Sequence, residues 1–206
     1  MLADILALIS TLLMISLLKR LVNIFPSLIA CMVRWKESVN LEASVKNSLD
    51  RDMLAAACII PFCIVVDKFR LYDPAFLNGM SDNARIMIII GIFLAYCGVR
   101  MMMSAIVKTH KSAGKSAKTA ERSSYTFFII LSLMLILTGW VLSFLNVDAA
   151  VMTSAMLWIS GFIYALSLLR KTQIFISGCS FFTAFLYLCA LEIVPTGALV
   201  ASALIL

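Results

Sequence analysis

An uncharged run of twenty-one residues, Tyr125 to Leu145, is the feature that most limits how this chain can fold. As an α-helix, a run of this length rises about 31 Å, which matches the hydrocarbon core of a bilayer. Short loops rich in lysine and arginine stay on the cytoplasmic side of a membrane. The segment before the run contains five such residues: Lys108, Lys111, Lys115, Lys118 and Arg122. The run therefore predicts a membrane-spanning helix that enters the bilayer from the cytoplasm.

The composition supports a membrane protein. Of the 206 residues, 63% are hydrophobic and only 14% are charged, and the mean hydropathy is +1.03. A water-soluble core cannot bury so much apolar surface. The formal charge of +6 fits cytoplasmic loops that face anionic lipid headgroups, because no basic stripe interleaved with aromatic residues points to nucleic acid. The expected partners are therefore the lipid bilayer and other inner-membrane proteins, and the five basic residues are candidate lipid or partner contacts.

Apolar runs predict an all-α, polytopic membrane bundle of about six helices that forms one domain over residues 1–206. The candidate spans are 5–18, 53–66, 86–107, 125–145, 149–169 and 174–191. With the N-terminus outside, residues 19–52, 108–123 and 170–173 form cytoplasmic loops, and residues 67–85 form a periplasmic loop. This orientation places thirteen of the seventeen Lys and Arg residues in the cytoplasm. The positive-inside rule favours it over the inverted topology.

The ends of the chain leave alternatives open. Asn23 and Pro26 interrupt residues 21–33, which either continue the first span as a kinked helix or lie along the membrane surface. The sequence does not decide whether residues 5–18, 21–33 and 53–66 cross the membrane fully. The tail 198–206 is too short to cross again, so it caps the bundle, re-enters the outer leaflet or extends a kinked helix.

Local signals predict several helix boundaries. Asp73-Pro74 predicts a short periplasmic helix that Gly79 stops. Ser123 or Ser124 is the expected N-cap of the fourth span, and Asp148 that of the fifth. Residues 34–52 predict a short interfacial helix, because Leu41, Val45 and Leu49 recur at every fourth position.

Two sets of small residues predict close helix packing. Gly91, Ala95 and Gly98 follow one another on the third span, and Gly161 and Ala165 are four residues apart on the fifth. Small side chains at this spacing let a second membrane helix approach closely. We name each of these sets a small-residue seam.

Signals for catalysis, metals and cofactors are weak, and none of the three is predicted. The six cysteines show no C-x-x-C pair and no histidine at ligand spacing, which indicates buried thiols without disulfides. His110 lies in the basic loop, where a solvated side chain is expected. Gly114-Lys115-Ser116 resembles the end of a phosphate loop, but Thr109 stands where the motif requires its first glycine.

Arg100 and Glu192 are the two charges expected inside spans, where an ionisable residue costs on the order of 3 kcal/mol or more. The predicted spans place Arg100 near the inner interface and Glu192 near the outer end, so the two are not expected to pair. Lys68, Arg70 and Arg85 are then the nearest candidate partners of Glu192. Pro195, with Thr196 and Gly197, predicts a helix break after Glu192. Glu192 then either anchors that break through a hydrogen bond or salt bridge, or acts as a proton-coupling or substrate-contacting carboxylate.

The stretch Phe185-Leu-Tyr-Leu-Cys-Ala-Leu-Glu-Ile-Val-Pro195, with Leu169-Arg-Lys-Thr-Gln-Ile174 and Tyr125-Thr-Phe-Phe128, resembles a family of uncharacterised polytopic inner-membrane proteins from Bacteroidota. This family is domain of unknown function 4271. The resemblance is most specific in the C-terminal third and extends from about Arg51. It implies a bacterial inner membrane and several spans, and it brings no reaction, cofactor or active-site residue.

Two functions follow as expectations. A non-enzymatic component or scaffold of an inner-membrane complex is favoured by the seams and by the lack of a catalytic constellation. The alternative is a small transporter or membrane-embedded enzyme with a cavity near Glu192, where unwound backbone coordinates a ligand. The sequence identifies no small-molecule substrate.

Overall fold

The computed structural model describes residues 2–77, 79–108, 114–177 and 181–205, and these form an all-α bundle without a strand. The elements are α1 (Leu2–Val33), α2 (Trp35–Ala43), α3 (Val45–Lys68), a 3₁₀ turn (Ala75–Leu77), α4 (Asp82–Lys108), α5 (Gly114–Phe144), α6 (Ala149–Ile176), α7 (Phe181–Leu188), a π-helical turn (Cys189–Ile193) and α8 (Val194–Ile205). The predicted fold class is thereby confirmed.

Five stretches of the described chain are long and apolar enough to cross a membrane. They are Asp4–Val33, Asp82–Ala105, Lys118–Phe144, Ala149–Ile176 and Ala184–Ala203. Exposed leucine, isoleucine and valine side chains cover their outer faces. Exposure of so much apolar surface to water is unfavourable, so these faces suit contact with lipid.

The sixth predicted span, 53–66, belongs to α3, which runs alongside α5. At one end of α3, the guanidinium of Arg51 lies over the ring of Tyr125 at 5.9 Å. At the other end, Phe69 packs against Gly139. Helix α3 thus lies alongside α5 over most of its apolar run, but it is not among the five stretches that are long and apolar enough to cross.

The first helix continues through Pro26 without interruption. Its second half packs into the central core, where Ile24, Leu28 and Cys31 join residues of α2, α3, α5 and α6. Of the open alternatives for residues 21–33, the structure therefore shows continuation of the first helix. Burial of these three side chains explains why the segment is held in the bundle.

The interfacial helix predicted over residues 34–52 is wrong as a single element. The chain breaks at Ser44, whose hydroxyl accepts a hydrogen bond from the Asn47 N–H at 3.5 Å. Leu41 on α2 is buried, whereas Val45 and Leu49 on α3 are exposed. An N-capping serine at this position divides the expected apolar stripe between two helices.

Other boundary predictions had mixed outcomes. The short turn after Pro74 is confirmed, and Gly79 has a φ of 88°, which favours glycine. Ser123 and Ser124 are not N-caps, because α5 already begins at Gly114. Asp148 directly precedes α6 as predicted, but its side chain makes no capping hydrogen bond.

The predicted loop 170–173 and the predicted start of the last span are wrong. Helix α6 continues to Ile176, and α7 begins at Phe181. Arg170 remains in the helix because its Nε donates to the Met32 carbonyl at 2.9 Å. The tail takes the third predicted course, since α8 extends the last helix to Ile205.

Candidate functional site

Glu192 lies at the centre of a buried charge cluster formed by α4, α6 and the π-helical turn. Only 9% of its side chain is exposed. Its Oε1 atom accepts hydrogen bonds from the Arg100 guanidinium and from Lys171 Nζ, the latter at 2.7 Å. Arg100 also donates to the Ser124 hydroxyl on α5. One carboxylate thus joins two cations from distant parts of the chain.

The expectation that Arg100 and Glu192 lie in opposite leaflets is wrong. Because the chain turns after Ile176 rather than at 170–173, the last helix starts later and Glu192 lies about three turns into it. Arg100 lies about two turns before the C-terminal end of α4, and Lys171 lies within two turns of the C-terminal end of α6. All three groups are therefore at one level of the bundle.

The backbone around Glu192 is adapted to this position. The Val194 N–H donates to the Cys189 carbonyl, five residues back, which widens the helix before Pro195. Tyr164 on α6 donates to the Glu192 carbonyl at 3.1 Å. Proline has no N–H and clashes with a regular preceding turn, so a wide turn accommodates it without ending the helix. The predicted break at 195–197 is wrong, since those residues are helical.

A small cavity adjoins the cluster. Its polar lining consists of Arg100, Ser104, Glu121, Lys171, Tyr187 and Glu192, and its apolar lining of Ala120, Phe175, Leu188 and Leu191. We name it the Glu192 cavity. It leaves about 20 Å³ for the centre of a water molecule. Sites for drug-sized ligands reach about 300–1,000 Å³, so this cavity is of a size for one water molecule and not for an organic substrate.

A second buried network joins α2, α3 and α5, and we name it the Arg51 network. Arg51 pairs with Glu42 at 3.1 Å and with Asp52 at 2.7 Å. Arg122 also contacts Glu42 and donates to the Ser48 hydroxyl at 3.2 Å. The basic candidate Arg122 is therefore engaged within the protein. The side chains of Lys108 and Lys115 and the whole of Lys111 and His110 lie outside the described residues, whereas the Lys118 side chain is exposed.

The candidate outer partners of Glu192 are engaged elsewhere. Arg85 pairs with Asp67 at 2.8 Å, and both Arg85 and Arg70 approach Asp73 at 3.6 Å. Lys68 lies over the ring of Phe69. Burial raises the pKa of the Asp67 carboxyl, and the charge of Arg85 acts in the opposite direction. These contacts link the end of α3, the loop that follows it and the start of α4 at the other end of the bundle.

The described residues contain no group of side chains arranged for metal binding or for thiol chemistry. No three His, Cys, Asp or Glu side chains are grouped as metal ligands there. Cys31, Cys58, Cys63, Cys97 and Cys189 are free thiols. Cys179 lies outside the described residues.

Both predicted seams, which we name the α4 seam (Gly91, Ala95 and Gly98) and the α6 seam (Gly161 and Ala165) after the helices that carry them, face away from the rest of the described chain. Gly91, Ala95 and Gly98 are exposed, and so are Gly161 and Ala165. Apart from the adjacent residues and the backbone of the same helix, no described atom comes within 4 Å of where a Cβ would stand on any of the three glycines. Gly139 differs, because a Cβ there would meet Phe69 and Met156 at 2.8 Å.

Comparison with known proteins identifies the family. A family model described as Domain of unknown function (DUF4271) matches residues 5–202. The chain belongs to this family. The match includes the first fifty residues, where the resemblance of the motifs is weak, and it includes Glu192 and Pro195. Comparisons with curated proteins and with solved structures gave no significant match.

Lys171, Glu121, Ser104 and Tyr187 were missed by the sequence reasoning as members of a site. A usable signal for Lys171 existed in the next five residues, since Thr172 to Ile176 contain no turn former. The first turn signal is Ser177-Gly178. Placing the turn there would have brought Lys171 into the helix and Glu192 towards Arg100.

Proposed function

We propose that this DUF4271 protein is a non-enzymatic component of an inner-membrane protein complex, and that membrane helices of its partners pack on the α4 and α6 seams. The observation that carries the proposal is the outward direction of both seams. Small residues at this spacing serve close helix contact. Within the described chain, such contact occurs at Gly139 but not at Gly91, Gly98 or Gly161.

The chemistry at Glu192 agrees with a structural role. Its carboxylate is engaged by two cations, so it is not held ready to bind a substrate. The adjoining cavity is of a size for a water molecule. A transported solute or an embedded enzyme's substrate requires more room than this.

The alternative is a small transporter or membrane-embedded enzyme that uses Glu192. Two observations favour it: the polar lining of the cavity and the π-helical turn that carries the glutamate. Such turns are frequent at functional sites. Under this alternative, Glu192→Gln abolishes uptake or turnover in a protein that still folds.

Affinity purification from native membranes and mass spectrometry of the recovered proteins test the proposal. The wild-type chain should recover a partner in stoichiometric amount, and Gly98→Leu should lose it because the larger side chain blocks the seam. Ala56→Leu is the matched control, since Ala56 is an exposed alanine of α3 outside both seams. Both variants should keep the thermal stability of the isolated chain.

Two results contradict this proposal. One is a wild-type chain that purifies alone while a Glu192→Gln variant that still folds has lost a flux or turnover. The other is a Gly98→Leu variant that retains every partner recovered by the wild type. The first result moves the function to the Glu192 cavity, and the second removes the α4 seam as a surface for partners.

The proposed orientation places the N-terminus outside and the basic segment 108–123 in the cytoplasm. Labelling of a cysteine at position 115 by an impermeant reagent tests it in intact cells, in a background without the native cysteines. The expected result is protection until the membrane is opened. Labelling of intact cells would invert the topology.

A further inference from the structure

We propose that the edge between α1 and the start of α3 binds an anionic phospholipid through the phosphate of its headgroup. This edge consists of Lys19 and Arg20 on α1 and of Lys46, Leu49 and Met53 on α3, and we name it the α1–α3 edge. The three cations contact the phosphate, and the acyl chains lie along the apolar side chains. The inference is independent of whether the chain belongs to a complex, because the edge lies on other helices than the two seams.

A side-chain contact joins the two helices at this edge. The guanidinium of Arg20 donates to Asp50 Oδ1 at 2.8 Å and lies 3.1 Å from the sulfur of Met53. Arg20 is nevertheless 46% exposed, so it keeps donors for a ligand. Lys46 precedes Asp50 by four residues, which places both on one face of α3, a single turn apart. Lys19 adjoins Arg20 in the chain, so the three cations lie at the same end of the contact.

The positive charge of the edge is not balanced within the described part of the chain. Lys19 and Lys46 are exposed, and neither has an ion-pair partner among the described residues. Glu42 is four residues before Lys46, but it pairs with two arginines of the Arg51 network instead. Asp50 is already engaged by Arg20. Charge complementarity therefore favours an anionic ligand.

The edge lies where the apolar part of the bundle ends. The uncharged run of α1 stops at Lys19. On α3, the guanidinium of Arg51 lies over the ring of Tyr125, which opens the uncharged run 125–145. Lys46 is five residues further from the apolar part of α3, about 7 Å along the helix. The headgroup layer on each side of a bilayer is about 5–7 Å thick, so this position corresponds to the level of lipid phosphates.

Exposed apolar side chains continue from the edge towards the hydrocarbon core. Leu49 and Met53 are exposed, and they follow Lys46 at three and seven residues on the same face of α3. On α1, exposed Ile15 is four residues before Lys19. Cations at headgroup level beside apolar side chains at acyl level match a molecule with a charged phosphate and long hydrocarbon chains. An anionic phospholipid has both parts, whereas a free phosphate has only the first.

Thermal unfolding of the full chain, purified in a neutral detergent, gives the first test. Phosphatidylglycerol at about ten times its Kd should raise Tm by about 3–5 °C, because a ligand that binds only the folded state stabilises it. Phosphatidylcholine with the same acyl chains has no net charge and should give a much smaller shift. Equal shifts with the two lipids overturn the proposal. An equal shift with glycerol phosphate alone also overturns it, since the edge would then bind a free phosphate.

Lipid titration followed by native mass spectrometry assigns the binding to particular residues. Lys46→Gln and Lys19→Gln should each weaken the affinity for phosphatidylglycerol about fivefold, which corresponds to about 1 kcal/mol for one lysine near an anionic surface. The double variant should lose about 25-fold. Because both lysines are exposed and unpaired in the described chain, the variants should keep the Tm of the wild type in the absence of lipid.

Two control variants separate the edge from the general positive charge of the protein. Lys68→Gln is the matched control, because Lys68 is an exposed lysine at the opposite end of α3, and it should leave the affinity unchanged. Lys36→Gln removes an exposed lysine of the neighbouring helix α2 and should change the affinity less than twofold. An effect of Lys36→Gln equal to that of Lys46→Gln overturns the proposal, because the charge would then act without a defined site.

The same variants distinguish a lipid from a protein partner. Affinity purification from native membranes should recover the same proteins with Lys46→Gln as with the wild type. If Lys46→Gln leaves the affinity for phosphatidylglycerol unchanged but loses a protein that Lys68→Gln retains, the edge binds an acidic protein and the proposal is wrong. Unchanged lipid affinity without such a loss overturns it as well.

Discussion

The Arg51 network and the Glu192 cluster are both buried charge clusters, but they differ in how their charges are distributed. Arg51 is 1% exposed, and its two carboxylate partners, Glu42 and Asp52, are 15% and 35% exposed. Glu192 is 9% exposed and is the shared partner of Arg100 and of Lys171, which is 3% exposed. In the Arg51 network one buried base has two acidic partners, whereas in the Glu192 cluster one buried acid has two basic partners.

This difference determines what happens when one member is lost. The partners of Arg51 reach water, and Glu42 also retains Arg122. Lys171 is 3% exposed, so its ammonium is shielded from bulk water. Breaking a buried ion pair from one side costs far more than the net stabilisation the pair provides, because the remaining charge stays buried. The stability of the bundle should therefore depend more on Glu192 than on Arg51.

Glu192→Gln should produce the largest effect. It leaves Arg100 and Lys171 close together with no carboxylate between them, a loss of about 3–5 kcal/mol or about 10 °C in Tm for a chain of this size. Thermal unfolding in detergent measures it. Adding Lys171→Met should restore part of the loss, because one of the two buried charges is then removed. An effect smaller than that of Arg51→Met would reverse the comparison.

Arg51→Met should have an intermediate effect, with a loss of about 1–2 kcal/mol, or about 3–6 °C in Tm. Methionine fills much of the space, and the two partly exposed carboxylates regain water. The same unfolding measurement applies. A loss equal to that of Glu192→Gln would show that the exposed carboxylates do not become hydrated when Arg51 is removed.

The smallest effect is expected at Asp67, outside both networks. Burial raises the pKa of its carboxyl, so the folded state binds the proton more tightly than the unfolded state does. Stability from this group is present at low pH and is lost as pH rises through its titration range, from about pH 4 upward. Asp67→Asn should flatten that part of the Tm-against-pH curve. A wild type that gains stability relative to the variant as pH rises would show that Arg85 outweighs burial.

The membrane class and three of the spans could be predicted from the sequence because they depend on local composition. A run such as 125–145 has no charged residue, and its length alone requires a helix through lipid. The predictions of 86–107, 125–145 and 149–169 lie almost wholly within helices of the structure. Lipid-facing residues need no particular partner, so long-range packing does not alter them.

The charge clusters could not be predicted in the same way. Arg170 and Lys171 resemble a cytoplasmic loop because charges usually end a span, but both find partners inside the bundle. Those partners, Met32 and Glu192, are far away or across a turn in the sequence. A single error in the position of that turn then placed Glu192 at the wrong end of its helix. Local charge predicts a boundary only where no buried partner is available.

The π-helical turn also has a consequence for the two halves of the last helix. One additional residue in a helix rotates the residues after it by about 100° relative to the residues before it. Tyr187, on the first half, is turned towards the water-sized cavity, whereas Thr196 and Ser202, on the second, meet the hydroxyls of Tyr96 and Tyr72 at 3.1 Å and 2.9 Å. A uniform helical wheel drawn through Phe181 to Ile205 would therefore merge two faces that the molecule keeps separate. Deletion of one residue between Cys189 and Ile193 would align these faces, and either Tyr187 or the pair Thr196 and Ser202 would then lose its present contacts.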